Sequence, residues 1–250
     1  MRTVRGMRRD GPQVVPRQIR GNRAAVLASC AIALVLASVL AGCKATPPVN
    51  LGPQSQAAPS PLYPGEVRQY RGAKLSSIED FYENSIKGPQ TVDIKTYRLS
   101  VAGEVSRPLK LTYDQVLAHE TYNKVVRLNC VEGWSVDIWW EGVLLSDLLK
   151  QAGADMKSKI VVFRAVDGYS TSLPFDFIFS NNILLASKMN GVVIPPERGY
   201  PFMVVAEDRW GYKWCKWVTA LEVSKDEPFR GYWEQRGYSN SGTLEREFSP

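Results

Sequence analysis

Two cysteines, Cys130 and Cys215, are the side chains of this sequence best suited to coordinate a soft metal or to act as a nucleophile. Cys130 stands in the run Arg-Leu-Asn-Cys-Val-Glu-Gly-Trp-Ser (127–135), where a predicted strand ends and a loop begins. A thiolate there can bind a soft metal or attack an electrophile. The plainer alternatives are a buried structural cysteine and a disulfide with Cys215. The residue types alone do not decide between these four roles: metal ligand, nucleophile, structural cysteine and disulfide.

Histidine-dependent chemistry is not indicated. The chain has one histidine, His119, at the end of a predicted short helix, where a solvated or dipole-satisfying role is typical. A cysteine nucleophile usually has a histidine as its base, and zinc sites combine cysteine and histidine at short spacings. A serine nucleophile elbow is also missing from the sequence.

A second run whose residue types could bind a ligand is Trp-Gly-Tyr-Lys-Trp-Cys-Lys-Trp (210–217). A glycine followed by Lys213 and Lys216 can present ammonium groups and backbone N–H donors to a phosphate or another anion. The alternative is an amphipathic strand with solvated lysines. All seven tryptophans lie between 134 and 233, around these two runs, so we expect most in the core and some in the wall of a pocket for a flat ligand.

Short strands outnumber helices among the elements that must position these runs. A short helix is expected at 113–119, with Thr112 as its N-cap, and another at 144–152, ending at Gly153. Two short apolar segments, 175–179 and 183–186, are ambiguous. Strands are predicted at 97–105, 124–130, 134–140, 160–166, 169–173, 201–206 and 213–223. Without a βαβ rhythm, the pattern predicts an α+β fold with mixed β-sheets and short helices.

The charge of the chain is concentrated at its N-terminus. Residues 1–23 hold seven arginines and one acid, whereas the rest of the chain has 24 bases and 24 acids. A body without net charge lacks the basic field of nucleic-acid binders, so nucleic acid is not expected as a partner. With 44% hydrophobic and 22% charged residues, the 250-residue chain is globular in composition.

The N-terminal segment has the pattern of an export signal. An uncharged stretch, 24–41, follows the arginines and leads into Leu40-Ala41-Gly42-Cys43, which resembles the bacterial lipobox. We therefore expect a signal peptide at 1–42, lipidation of Cys43, a flexible linker to residue 65, a folded domain at 66–240 and a polar tail at 241–250. An uncleaved membrane anchor is the alternative. Either way, the body is expected outside the cytoplasm and tethered to the membrane.

Taken in chain order, the motifs of residues 78–238 resemble the molybdopterin-binding domain of the sulfite-oxidase superfamily, and in particular its periplasmic catalytic subunits that reduce methionine sulfoxide in proteins. The cysteine run is the most specific of these motifs. The others are Phe81-Tyr82-Glu83, Asp167-Gly168-Tyr169, Gly199-Tyr200-Pro201, the Gly211/Lys213/Lys216 run, Gly231-Tyr232-Trp233 and Gly237-Tyr238.

The resemblance implies a molybdenum–molybdopterin cofactor with Cys130 as the protein ligand of the metal. The metal would alternate between Mo(VI) and Mo(IV) and move an oxygen atom to or from the substrate. Tyr82 and Glu83 would contact the cofactor from the N-terminal side. The expected contacts of its pterin or phosphate end are Trp214, Cys215 and Lys216, with Lys213 nearby.

This chain departs from the pattern of those relatives at four positions, which carry Glu79, Ala165, Arg198 and Met203. Met203 stands where they have a phosphate-facing arginine, and Arg198 is expected to supply the missing cation. The chain also ends before a further dimerisation domain, so a monomer is expected. The resemblance implies a sulfoxide-like substrate, small or protein-borne, and a membrane or periplasmic electron-transfer partner such as a haem protein. The alternative functions are a non-catalytic binding lipoprotein and thiol chemistry at Cys130.

Overall fold

The structure is a computed structural model that describes residues 63–226 and 229–245. The expected signal peptide, the lipidation site at Cys43 and the linker up to residue 62 lie outside the described residues. Within the described ranges, no helix is long and apolar enough to cross a membrane.

Twelve short strands and three short helices make up the regular structure of these ranges. The strands are β1 (Gln69–Tyr70), β2 (Ala73–Lys74), β3 (Leu99–Gly103), β4 (Leu109–Leu111), β5 (Thr121–Asn129), β6 (Ser135–Leu144), β7 (Ile160–Ala165), β8 (Ser170–Pro174), β9 (Leu184–Met189), β10 (Val192–Val193), β11 (Met203–Val205) and β12 (Val218–Ser224). The helices are α1 (Tyr113–Leu117), α2 (Leu145–Ala152) and α3 (Phe175–Ser180). Single 3-10 turns span Ile78–Asp80, Pro196–Arg198, Gly211–Lys213 and Glu234–Arg236.

Two five-stranded sheets carry most of the architecture. The first has the order β10-β9-β6-β5, with β11 also paired to β9, and all of its pairs are antiparallel. The second has the order β4-β3-β12-β7-β8, and in it β12 runs parallel to β3. One hydrophobic core takes side chains from both, among them Ile138 and Leu185 of the first sheet and Val101 and Leu221 of the second. The predicted α+β class with mixed sheets is confirmed.

Local signals in the sequence set the ends of both predicted helices. The Thr112 side chain accepts a hydrogen bond from the Gln115 N–H, and the Gln115 side chain accepts one from the Thr112 N–H, which is a capping box at the start of α1. Helix α2 ends at Gly153, whose φ of 64° lies in the left-handed region that favours glycine. Of the two ambiguous segments, the first forms α3 and the second contributes to β9.

The strand predicted at 213–223 is wrong in its first half. Lys213 N–H donates to Trp210 at 2.8 Å and Trp214 N–H donates to Gly211 at 3.0 Å, which are the local bonds of a turn. Trp217 then adopts a positive φ of 49°, and the strand β12 begins only at Val218. Aromatic residues at every second position, Trp210, Tyr212 and Trp214, therefore imitate the period of a strand in a segment that is a turn and a loop.

Candidate functional site

The β5–β6 hairpin places Cys130 at the first position of its connecting loop. Cys130 N–H donates to the Trp134 carbonyl at 2.9 Å, and Gly133 N–H donates back to the Cys130 carbonyl at 3.1 Å. Gly133 has a φ of 88°, which a residue with a Cβ rarely adopts. On the flanking strands, Arg127 and Asp137 lie directly opposite each other and form a bidentate ion pair with contacts of 2.7 and 2.9 Å.

Cys130 is a free thiol that faces a cleft. Its residue surface is 7% exposed, and its Sγ lies 4.0 Å from Glu132 Oε2. The Glu132 carboxylate also accepts hydrogen bonds from Trp134 Nε1 at 3.2 Å and from Asn84 Nδ2 at 3.0 Å. Burial raises the pKa of the Cys130 thiol; a hydrogen bond from the Glu132 backbone opposes this rise, and the charge of the Glu132 carboxylate adds to it. The disulfide alternative is excluded in this structure because Cys215 is also a free thiol.

The 210–217 run packs directly against the cysteine run. Asn129 and Trp210 form a parallel β-bridge. A Cβ added to Gly211 would lie 3.3 Å from the Asn129 carbonyl oxygen and 3.6 Å from Cys130 Cα. The two runs therefore meet in space, and the close approach uses the missing side chain of Gly211.

Trp214 and Lys216 line the same cleft as Cys130, whereas Cys215 does not. Cys215 is fully buried, its thiol donates to the Lys216 carbonyl at 3.6 Å, and burial raises its pKa strongly. Lys216 Nζ lies 2.9 Å from Glu83 Oε1 and 4.4 Å from the centre of the Trp217 ring. Burial lowers the pKa of Lys216, and the hydrogen bond to Glu83 opposes this shift.

Two cations expected near the cofactor do not line the cleft. The Lys213 side chain is fully buried in an ion pair with Glu234, with 2.6 Å between Nζ and Oε1, and it is not among the lining residues. Burial lowers the pKa of Lys213, and Glu234 opposes this effect. Arg198 is not among the residues that line the cleft: its Nε donates to the Ile78 carbonyl at 3.1 Å and its guanidinium lies over the Phe81 ring. The guanidinium of Arg198 is thus engaged behind the cleft wall, at Ile78 and Phe81.

Aromatic side chains are the largest group among the residues that line the cleft, which holds about 980 Å³ of space, counting the part that opens to solvent. Tyr82 stands at the surface with 68% of its area exposed, and its ring centre lies 5.9 Å from that of Trp134. The Tyr169 hydroxyl donates to the Tyr212 carbonyl, and burial raises the pKa of Tyr169 well above its usual value. The other aromatic rings of the lining are Phe81, Tyr212, Trp214, Trp217, Trp233 and Tyr238.

Sequence reasoning missed the polar side chains that follow the Tyr82–Glu83 pair. Asn84 and Ser85 both line the cleft, and Ser85 Oγ is buried without a hydrogen-bond partner within the described structure. The available signal was their position in the sequence, because Asn84 and Ser85 directly follow the Tyr82–Glu83 pair. No group of three or more histidine, cysteine, aspartate or glutamate side chains that could hold a metal ion occurs among the described residues.

A family model described as the oxidoreductase molybdopterin binding domain matches residues 86–233. The chain belongs to this family. Three relatives of the chain are YuiH, an uncharacterized oxidoreductase of Bacillus subtilis, a putative protein-methionine-sulfoxide reductase subunit, YedZ1, of Azospira oryzae, and the protein-methionine-sulfoxide reductase catalytic subunit MsrP of Xanthomonas axonopodis.

The relatives share moderate identity with the chain. YuiH is 33% identical over 155 residues, which cover 62% of this chain and 78% of YuiH. YedZ1 is 35% identical over 148 residues, covering 59% of this chain and 56% of YedZ1. MsrP is 28% identical over 218 residues, which cover 73% of this chain and 68% of MsrP. Among solved structures, the sulfane dehydrogenase SoxCD of Paracoccus pantotrophus matches in fold with a TM-score of 0.53 at 24% identity, covering 56% of this chain and 41% of that one.

Membership of the molybdopterin-binding family implies a molybdenum cofactor, and the cleft fits such a group in three respects. Cys130 offers a soft sulfur donor in a pocket sheltered from solvent. The indole rings of Trp134, Trp214 and Trp233 offer apolar faces to a flat conjugated ring system. Lys216 offers a cation to a phosphate. The unpartnered Ser85 hydroxyl is a further polar atom available to a bound ligand.

Proposed function

We propose that this molybdopterin-dependent oxidoreductase reduces a sulfoxide to a sulfide. The observation that carries this choice is the charge of the cleft. Of the cleft-lining residues that the structure describes, Lys216 is the one lysine or arginine, while Glu132 and Asp167 are both acids. Lys216 is assigned to the phosphate of the cofactor, so no lysine or arginine of the described lining is left for an anionic substrate.

An acidic, aromatic cleft favours a neutral substrate over an oxoanion. Sulfite and similar anions need cations to offset their charge on leaving water. Met203, which is 4% exposed, adds an uncharged side chain to the lining of the cleft. A sulfoxide has no net charge, its S=O group accepts hydrogen bonds, and its carbon substituents pack well on aromatic rings. The names of two relatives designate methionine-sulfoxide reductase subunits, which agrees with this chemistry.

Some residues of the cleft bind the cofactor or the substrate, and another supplies a proton. When bound, the cofactor supplies a molybdenum that alternates between Mo(VI) and Mo(IV) and transfers one oxygen atom. Cys130 holds the metal at the hairpin loop. Reduction of a sulfoxide by two electrons consumes two protons and releases water, and Glu132 Oε2, beside the thiol, is placed to hold one of these protons. Tyr82 and Trp134 at the mouth pack against the substituents of the substrate.

Steady-state assays with both substrate types decide the question. Full-length protein loaded with molybdenum and supplied with reduced viologen dye is expected to oxidise the dye when methionine sulfoxide is added. With a one-electron acceptor and sulfite it is expected to show no turnover. Cys130→Ala is the control for dye oxidation that does not depend on the site. Sulfite oxidation without sulfoxide reduction would overturn the proposal.

We also propose that the domain works outside the cytoplasm, tethered through a lipid on Cys43, as a monomer that receives electrons from a membrane or periplasmic redox protein. The support is the lipobox-like sequence at 40–43 and the subunit designations of the relatives. Cys43→Ser should release the chain from the membrane fraction because residues 44–64 have too few apolar residues to bind a membrane. Continued retention of a cleaved product would argue for another anchor. Size-exclusion chromatography with light scattering tests the monomer.

A further inference from the structure

A buried ion pair between Lys213 and Glu234 lies behind the cleft. Both side chains are 0% exposed, and Lys213 Nζ lies 2.6 Å from Glu234 Oε1. The Thr171 hydroxyl donates to the same carboxylate oxygen at 2.6 Å. An ion pair in a protein interior has a large desolvation cost, so it contributes little to stability compared with an apolar pair of the same shape. Its position therefore calls for an explanation other than stability.

Lys213 attaches the loop of the second run to the segment 230–243, which we call the C-terminal clasp. Besides its bond to Glu234, Lys213 Nζ donates to the Asn240 carbonyl at 2.9 Å. The Tyr212 hydroxyl donates to the Ser239 carbonyl at 2.7 Å. Packing at this attachment is tight, since a Cβ on Gly242 would come within 2.4 Å of Lys213 Cγ. The clasp is thus fixed at several points, and Lys213 makes two of the contacts.

The clasp supplies part of the cleft wall. Trp233 and Tyr238 both line the cleft, and their ring centres lie 5.1 Å apart. Trp233 directly precedes Glu234, and the ring of Tyr238 lies 5.2 Å from that of Tyr212. A movement of the 3-10 turn Glu234–Arg236 away from Lys213 would therefore also move Trp233, its N-cap residue.

We propose that Lys213 is a positioning residue: through Glu234 it holds the C-terminal clasp closed, so that Trp233 and Tyr238 retain the cofactor in the cleft. Lys213 itself does not touch the cofactor. Opening of the clasp is local, because its backbone attachments to the rest of the domain join Tyr232 to Ser170 of the edge strand β8 and Gly242 to Trp210, and none joins the centre of a sheet. The release of cofactor is limited by this opening.

Limited proteolysis reports the opening without any need for activity. Arg236 is an exposed residue in the middle of the clasp, so trypsin cleavage after it measures how often the clasp detaches. In Lys213→Met, which leaves Glu234 buried without its cation, we expect cleavage at Arg236 to become about ten- to hundred-fold faster. The full-length protein is used with and without molybdenum cofactor, and loss of molybdenum on dilution is followed in parallel.

Three further variants separate positioning from general stability. Lys213→Met/Glu234→Gln removes both charges and should recover part of the protection at Arg236. Thr171→Val keeps the ion pair but removes one hydrogen bond, and it should give a few-fold effect even if Lys213→Met does not fold. Lys225→Met removes a lysine from a solvent-exposed pair with Glu104 and Asp155 and should change neither rate.

The proposal is supported if cleavage at Arg236 and loss of molybdenum rise together while cleavage within β5, after Lys124 or Arg127, and within β7, after Arg164, stays slow. It is overturned if all sites are cleaved faster in proportion, because Lys213 is then a general stabiliser. It is also overturned if the clasp opens and molybdenum is retained as well as in the wild type, because the clasp is then no part of cofactor retention.

Discussion

The Lys216 ammonium group lies 2.9 Å from the Glu83 carboxylate, although 133 residues separate the two in the chain. The pair ties the N-terminal segment before the cleft to the loop beneath it. Both side chains are largely sheltered, with exposed fractions of 17% for Lys216 and 30% for Glu83. A phosphate that enters the cleft therefore competes with Glu83 for Lys216.

Lys216→Met should weaken cofactor retention without unfolding the protein. The variant keeps most of the side-chain length and loses the charge-assisted contact to the phosphate, worth about 1.5–3 kcal/mol. Molybdenum loss on dilution should accelerate by about ten- to hundred-fold, measured by metal analysis and by the fluorescence of pterin released on denaturation. Glu83→Gln is the matched variant, and if Glu83 only competes for Lys216 it should retain molybdenum at least as well as the wild type. Unchanged retention in Lys216→Met would remove Lys216 from the site.

The two cysteines of the folded domain should respond in opposite ways to substitution by alanine. Cys130→Ala should abolish turnover and lower molybdenum content with little change in melting temperature, because the thiol faces the cleft. Cys215→Ala should keep both turnover and molybdenum. It should lower the melting temperature by about 2–4 °C, the effect of about 1 kcal/mol in a domain of this size. Full turnover in a metal-loaded Cys130→Ala protein would show that the ligand assignment is wrong.

Local signals made the position of Cys130 predictable. A strand followed by a glycine-containing turn and a second strand is written in consecutive residues, so the loop around Cys130 follows from the sequence itself. The resemblance implied cofactor contacts for Trp214 and Lys216, which line the cleft, but the strand predicted for this segment is wrong. They flank the buried Cys215 in a loop that follows a 3-10 turn, not in a strand.

The buried ion pair of Lys213 could not be predicted from the residues next to it in the sequence. Its partner Glu234 lies 21 residues further along, beyond an entire strand, and tertiary packing overrides the alternating pattern. The same holds for Ser85, which reaches the cleft only because the N-terminal segment folds across it. Segments such as 175–179 stayed ambiguous because a short apolar run suits a buried strand and a buried helix equally.

Gly211→Ala should impair turnover more than stability. The added Cβ would lie 3.3 Å from the Asn129 carbonyl oxygen, so the two runs must separate by a few tenths of an ångström. We expect a loss of about 1 kcal/mol in unfolding free energy and a fall in turnover of up to about tenfold, because small displacements of a reacting group are costly. Gly72→Ala is the control: its φ of 85° makes the substitution strained, but it lies in the β1–β2 turn and should leave turnover unchanged. Equal turnover in Gly211→Ala and the wild type would show that the cleft tolerates this shift.

The Arg127–Asp137 pair should stabilise the cysteine hairpin in a pH-dependent way. Hydrogen bonds from Arg127 lower the pKa of Asp137, whereas in the unfolded chain an aspartate titrates near a pH of about 4. Between the two pKa values the unfolded state binds more protons than the folded state, so stability rises with pH in that window. The contribution of the pair is therefore present above about pH 4 and disappears as the pH falls through the folded pKa of Asp137.

Both side chains are partly exposed, so the effect of the pair on stability is small and is weakened by salt. Urea unfolding should show a slightly lower midpoint for Arg127→Met than for the wild type at pH 7 and pH 5, and a difference that narrows as the pH falls from about 4 to about 2. Arg164→Met, which removes a similar exposed pair with Glu222 from the other sheet, controls for the loss of an arginine. A difference between Arg127→Met and the wild type that stays constant down to about pH 2 would show that Arg127 stabilises the hairpin through the packing of its side chain and not through the charge of Asp137.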